Sequence, residues 1–100
     1  MASASKQIRF TSIANVHLEH TIEYLLNEFG HSSAEKFLQL LKKKLNAISE
    51  QKIVHRYFYK TKQVRYFILQ KNYVLYLEKK NVIQVVAIYG TKQKIRGKNR

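Results

Sequence analysis

The sequence predicts a small α+β domain: a short first strand, an antiparallel two-helix hairpin, and then a three- or four-stranded antiparallel sheet. Three observations lead there. The last third holds three β-rich runs, Gln63–Leu69, Asn72–Leu77 and Asn81–Tyr89, separated only by Gln70-Lys71 and by Glu78-Lys79-Lys80. Two stretches of helical period precede them. The chain has 100 residues, enough for one hydrophobic core and not for two. A single domain is therefore expected over residues 1–100, with 1–5 disordered and 96–100 a basic tail.

Lys6–Phe10 has the composition of a short strand. Helix one is expected from Ser12, taken as its N-cap, to Phe29. Ile22, Leu25, Leu26 and Phe29 recur at i, i+3, i+4 and i+7 and define one apolar face. Gly30 follows as a C′ residue with a left-handed backbone. Helix two opens on Ser32-Ser33-Ala34-Glu35, a capping-box pattern from Ser32 to Glu35. Its stripe is Ala34, Phe37, Leu38, Leu41, Leu45 and Ile48, which leaves Lys36, Lys43 and Lys44 to solvent. The short connection makes the pair an antiparallel hairpin. Between Glu50 and Lys62 the pattern has no clear period, and Ile53–Tyr59 reads as either an irregular loop or an extra strand.

In the first of the three β-rich runs, alternation sends Val64, Tyr66 and Ile68 to one face and Arg65, Phe67 and Leu69 to the other. Tyr73, Leu75 and Leu77 oppose Val74 and Tyr76 in the same way. A helix hairpin covers one face only. The expectation is that the uncovered face carries Arg65 among aromatic rings, a surface suited to a polyanion or an added chain.

Charge is the second strong signal. Nineteen Lys and Arg face six Glu and no Asp, a net charge of +13. Five of the acids, Glu19, Glu23, Glu28, Glu35 and Glu50, lie in the first half, and Glu78 alone follows. The second half thus concentrates a field that attracts polyanions and speeds their encounter. Possible nucleic-acid contact follows from it. No run is long enough to span a bilayer and no secretory h-region opens the chain, so a cytoplasmic protein with no membrane partner is expected. There is no cysteine, which excludes disulfides and thiolate metal sites.

Few residues point to chemistry. His17 and His20 are three apart on helix one, without a third ligand in a metal-binding pattern, and read as solvated; no metal and no cofactor are expected. Gly90 has no glycine-rich context and no following helix, which argues against a nucleotide loop. One reaction stays open. Metal-free RNA cleavage needs a base, a phosphate-neutralising cation and an acid, and Lys, Arg, Tyr and His supply all three roles. Arg56, Arg65, Lys92, His55, Tyr73, Tyr76 and Tyr89 are the residues available for it.

The order of several segments resembles the RelE/ParE superfamily of type II toxins. They are Thr21–Leu25 on helix one, Ala34–Leu38 and Lys42/Leu45/Ile48 on helix two, Arg65, the Asn72–Tyr76 strand, and Val82–Ile88 running into Tyr89-Gly90-Thr91-Lys92-Gln93. The resemblance covers roughly residues 6–95. It implies the fold above and a toxin neutralised by a cognate acidic antitoxin. RelE-like members cut messenger RNA in the ribosomal A site, whereas ParE-like members poison DNA gyrase. Two lysines of the RelE-like pattern are missing from Val64–Tyr66, and its next arginine is Tyr73 here. The ParE-like ending Arg-Gln-x-Pro becomes Lys92-Gln93-Lys94-Ile95. The hairpin and Arg65 resemble ParE-like members more closely. The resemblance therefore implies a ParE-like toxin that binds gyrase. Two alternatives stay open: a ribosome-dependent endoribonuclease using Arg56, Arg65, Lys92 and Tyr73, and a non-toxic basic binding module. Antitoxin or target contacts are expected at Arg65, Phe67, Tyr73, Tyr76, Tyr89, Lys92, Lys94 and Arg96.

Overall fold

The computed structural model describes residues 5–53 and 55–90. The expectations for the first four residues, and for Lys92, Lys94, Arg96 and the rest of the basic tail, lie outside them. The element order is β1 (Gln7–Phe10), α1 (Ser12–Phe29), α2 (His31–Ser49), β2 (Tyr57–Tyr59), β3 (Val64–Leu69), β4 (Asn72–Glu78) and β5 (Val82–Gly90). The strands form one sheet in the order β1-β5-β4-β3-β2. Four strands run as an antiparallel meander, and β1 joins β5 in parallel, from Gln7 opposite Val82 to Phe10 opposite Val85. The uncertain stretch before Lys60 thus contributes an edge strand, β2.

Helix boundaries follow cap chemistry, with two corrections. Thr11 rather than Ser12 is the N-cap of α1: its hydroxyl oxygen accepts from the Ala14 N–H at 3.0 Å, and Ser12 is already helical. At the hairpin a single residue separates the helices. The Gly30 N–H donates to the Leu25 and Leu26 carbonyls, ending α1, and its own carbonyl accepts from the Ala34 N–H. Helix two therefore starts at His31, and the Ser32–Glu35 box is displaced into the first turn, where no side-chain cap forms. Gly30 has φ 92° and ψ 177°, a combination essentially reserved to glycine. Its φ is positive as expected, but its ψ is extended rather than left-handed helical.

The core lies between the helices and one face of the sheet. Phe37, Leu41, Leu45 and Ile48 of α2 meet Phe67, Leu69, Val74, Tyr76, Ile83, Val85 and Ile88. Leu38 is the exception in the α2 stripe and is exposed. The α1 face is only partly as expected: Leu25 is buried and Ile22 packs against the core, but Leu26 and Phe29 are exposed. Lys44 is half-buried rather than fully solvated; its Nζ lies 5.8 Å from the centre of the Phe67 ring, over the core's edge.

Strand β5 changes parity in its middle. Leu75 pairs with Ala87 but Tyr76 pairs with Val85, so Val86 is an inserted residue. Ile83 and Val85 before the bulge and Ile88 after it all face the helices, whereas Val86 and Ala87 face the other way.

The β3–β4 turn is unusual. Its two central residues, Gln70 and Lys71, have φ of 49° and 67°. A two-residue hairpin with both φ positive favours Asn-Gly, because each ordinary L-residue there is strained by about 1–2 kcal/mol. Lys71→Gly should raise stability by about 0.5–1 kcal/mol, net of the extra freedom glycine has when unfolded. Urea midpoints of the two proteins check this, and an unchanged or lower midpoint would show that Lys71 carries no such strain.

Candidate functional site

Thr11 turns the chain from β1 into α1, and the edge of β5 beyond Val85 loses its neighbour. Side chains of the turn and of α1 take over. The Thr11 N–H donates to the Val85 carbonyl, and the Thr11 hydroxyl lies 3.4 Å from the Val86 carbonyl oxygen. The Ile88 N–H donates to His17 Nδ1 at 3.1 Å. The His17 ring also sits 5.2 Å from that of Tyr89. His17 is therefore a structural acceptor rather than a solvated residue, and Nδ1, committed to the backbone, is not free for a metal.

The second polar constellation centres on Arg65. The face assigned to it is corrected by the structure: Arg65, Phe67 and Tyr76 lie on the helix-covered side. Phe67 is 4% and Tyr76 0% exposed, so both belong to the core and present no surface for an antitoxin or target. Arg65 emerges where that face ends. Its Nη1 donates to the His55 carbonyl at 2.6 Å and its Nη2 to the Tyr57 hydroxyl at 3.0 Å. The guanidinium carbon lies 4.1 Å from the Tyr57 ring centre, and Nε is 4.0 Å from Glu78 Oε1. Lys6 Nζ holds the other Glu78 oxygen at 3.1 Å.

Behind Arg65, His55 packs against Phe67 and Tyr76, with ring centres at 5.3 and 6.2 Å. His55 Nε2 and the Tyr76 hydroxyl are buried without a hydrogen-bond partner among the described residues. The Tyr76 phenol is pushed up to about 12, mainly by burial and then by Glu78; Arg65 and the nearby His55 backbone oppose the rise without completing a hydrogen bond. A phenol so disfavoured as an anion makes no general base at neutral pH.

Both histidines titrate low. Burial lowers His17, helped by His20, and burial lowers His55, helped by Lys44 and Arg65. Protonation is thus harder folded than unfolded. Their contribution to stability is complete above the ordinary histidine value of 6.5 and is lost as pH falls below it through the depressed folded values. The urea midpoint should drop between pH 7.5 and 5, and His17→Gln, which cannot titrate, should reduce that drop. An equal drop in the variant would rule out the His17 part.

The opposite face of the sheet is the uncovered one. Val64, Leu75 and Ala87 are buried there among Phe58, Tyr66, Tyr73, Leu77 and Val86. Phe58, Tyr66 and Tyr73 form an aromatic triangle with ring centres 5.5–5.7 Å apart. Ile68 beside them is 53% exposed. The bordering turns carry Lys60, Lys62 and Lys71. Tyr73 is the one expected contact residue of β3 and β4 that lies on this face. Tyr89 is 36% exposed at the far end of β5, and Arg56 is exposed ahead of β2. Phe58, Tyr66 and Ile68 were not expected as site residues; for Tyr66 and Ile68 the alternation with Arg65 and Phe67 is the signal that marks them.

The candidate ribonuclease set is therefore divided. Arg65 and Tyr73 lie on opposite faces of the sheet. Among the described residues no group of three or more His, Asp or Glu is placed to hold a metal. None of their helices is long and apolar enough to cross a membrane.

The described residues thus form a helix hairpin on one face of a mostly antiparallel sheet, with the other face apolar and open. The chain resembles a solved structure of the chromosomal ParDE toxin–antitoxin system from P. aeruginosa, with a TM-score of 0.69 at 16% identity, over 88% of this chain and 98% of that one. That likeness shows the fold. No curated protein is similar in sequence. Residues 8–95 match the family described as the ParE toxin of the type II toxin–antitoxin system parDE, and the chain belongs to that family.

Proposed function

We propose that this toxin arrests growth by binding DNA gyrase and is neutralised by a cognate acidic antitoxin seated on the uncovered sheet face. The observation that carries the antitoxin part is the face itself: an aromatic and aliphatic tract, open on a molecule of charge +13 and bordered by lysine-bearing turns. Apolar anchors in such a tract supply most of the affinity. Opposite charge speeds association and discriminates among partners. Folding of a disordered antitoxin segment costs part of that gain. Membership of the ParE family favours gyrase over the ribosome as the target. The division of Arg65 from Tyr73 disfavours the ribonuclease reading, which requires them on one substrate.

Induced expression in bacteria, with pulse labelling of DNA and protein synthesis in the same cultures, tests the proposal. Early loss of DNA synthesis is expected, together with inhibition of purified gyrase. Early loss of translation with new cuts in messenger RNA would replace it by the endoribonuclease. Normal growth with soluble protein would leave a non-toxic binding module.

A further inference from the structure

One end of the sheet, on the side away from the aromatic triangle, holds a cavity of about 400 Å³ lined by Lys6, Tyr57, Gln63, Arg65, Glu78, Lys79 and Lys80. These residues come from β1's approach, β2, the β2–β3 turn, β3, β4 and the β4–β5 turn, segments that the topology gathers at one rim. Four of the lining side chains are cationic and one is a carboxylate, a surplus of three positive charges.

The cations are not equivalent. Glu78 engages Lys6 at 3.1 Å and faces Arg65 at 4.0 Å, and Arg65 is further fixed by the His55 carbonyl and Tyr57. These two are therefore positioned before any ligand arrives. The Lys79 and Lys80 ammonium groups make no ion pair among the described residues. The backbone beneath them is fixed, because the Lys79 N–H donates to the Val82 carbonyl at 2.8 Å. Two held cations and two without an ion pair line the same polar space, together with Tyr57 and Gln63. The lining has no aliphatic or aromatic floor beyond the Tyr57 ring, which is itself covered by Arg65. Such a space suits a compact, multiply charged oxyanion rather than an apolar anchor.

We infer that this cavity is a phosphate-binding site, taking the phosphate group of a nucleotide or of a nucleic-acid backbone. Neither gyrase binding nor antitoxin neutralisation is needed for it. The site lies on the other side of the sheet from the face assigned to the antitoxin.

Titration of the full chain with inorganic phosphate and with a short single-stranded oligonucleotide at low ionic strength, followed by amide chemical shifts, tests the inference. Lys79→Gln/Lys80→Gln should weaken phosphate binding about tenfold, the effect of roughly 1.4 kcal/mol. The control Lys42→Gln/Lys43→Gln removes the same charge from the exposed face of α2 and should change it by less than about twofold if the site, not the general field, binds. Shifts should centre on residues 79–82 and 65. If the oligonucleotide weakens in step with phosphate, the ligand is a backbone phosphate. If only phosphate weakens, the ligand is a free phosphate ester. Equal losses in both double variants, or no saturable shifts in the wild-type chain, would overturn the site. All four lysines are on exposed turns or helix surface, and circular dichroism confirms that the variants are folded.

Discussion

Tyr76→Ala should destabilise the domain by about 4 kcal/mol, while Tyr76→Phe should stabilise it by about 1 kcal/mol. The two changes separate the ring from its hydroxyl. The ring is fully buried in the middle of β4, against His55 and Phe67. Its removal leaves a cavity under α2 that surrounding side chains fill only in part, and large aromatic-to-alanine changes in such cores cost about 3–5 kcal/mol. Against a total stability of about 5–15 kcal/mol for a domain this size, Tyr76→Ala approaches unfolding. The hydroxyl acts in the opposite sense. It is buried without a partner among the described residues, and an unsatisfied buried polar group costs about 1–3 kcal/mol. Phenylalanine keeps the ring and removes that cost. Urea denaturation of the three proteins at pH 7.5 decides the matter. A Tyr76→Phe variant weaker than the parent by 1 kcal/mol or more would mean that the hydroxyl is hydrogen-bonded in solution.

Why Tyr76 reads as a surface residue in the sequence and a core residue in the structure is instructive. The alternation along β3 and β4 is plain in the sequence, and every residue falls on the face its parity predicts. What alternation cannot choose is which parity meets the helices. Val64/Tyr66/Ile68 and Arg65/Phe67/Leu69 are about equally apolar, and an arginine at the start of the second set suggests the open side. In the fold that arginine stands beyond the helices' cover, at the rim, so its charge does not oppose burial of Phe67 two residues later. Helix two was legible because Ala34, Phe37, Leu41, Leu45 and Ile48 repeat along one side. Helix one was less so, because part of its inner surface is Ala14, Thr21 and His17, residues that a search for large apolar side chains passes over. The parallel partnership of β1 with β5 links residues some 75 positions apart, and the Val86 bulge falls just past the end of that pairing at Val85. Neither has a local signature. The caps failed for a simpler reason: Thr11 and Ser12 are both good N-cap residues, and Gly30 serves two helices at once.

Arg65→Ala should lower stability by about 2–3 kcal/mol and release β2 from the sheet. Strand β2 has three residues, and its ladder with β3 consists of Tyr57 opposite Arg65 and Tyr59 opposite Val64, with an irregularity between them. So short an edge has too few backbone bonds to hold itself. Arg65 reaches across that edge to the His55 carbonyl and the Tyr57 hydroxyl while stacking on the Tyr57 ring. Charged hydrogen bonds are worth about 1.5–3 kcal/mol and a stacked cation about 0.5–1 kcal/mol, reduced here because the group is partly exposed. Lysine keeps the charge but has neither the planar fork nor the stacking surface, so Arg65→Lys should recover less than half the loss. The Tyr66 amide reports the strand directly, since it donates to the Arg56 carbonyl at 3.0 Å. Its hydrogen exchange should accelerate in Arg65→Ala at least tenfold more than that of the central amides of β4, because the edge opens without the core. Unchanged protection of Tyr66 would show that β2 is held without Arg65. The same measurement governs any activity assay of this residue. The Phe58 corner of the aromatic triangle rides on β2, so a variant that frees β2 also breaks the uncovered face. Loss of toxicity in Arg65→Ala then identifies a contact with the target only if the Tyr66 amide remains protected; if it exchanges freely, the arginine acts by holding Phe58 in place.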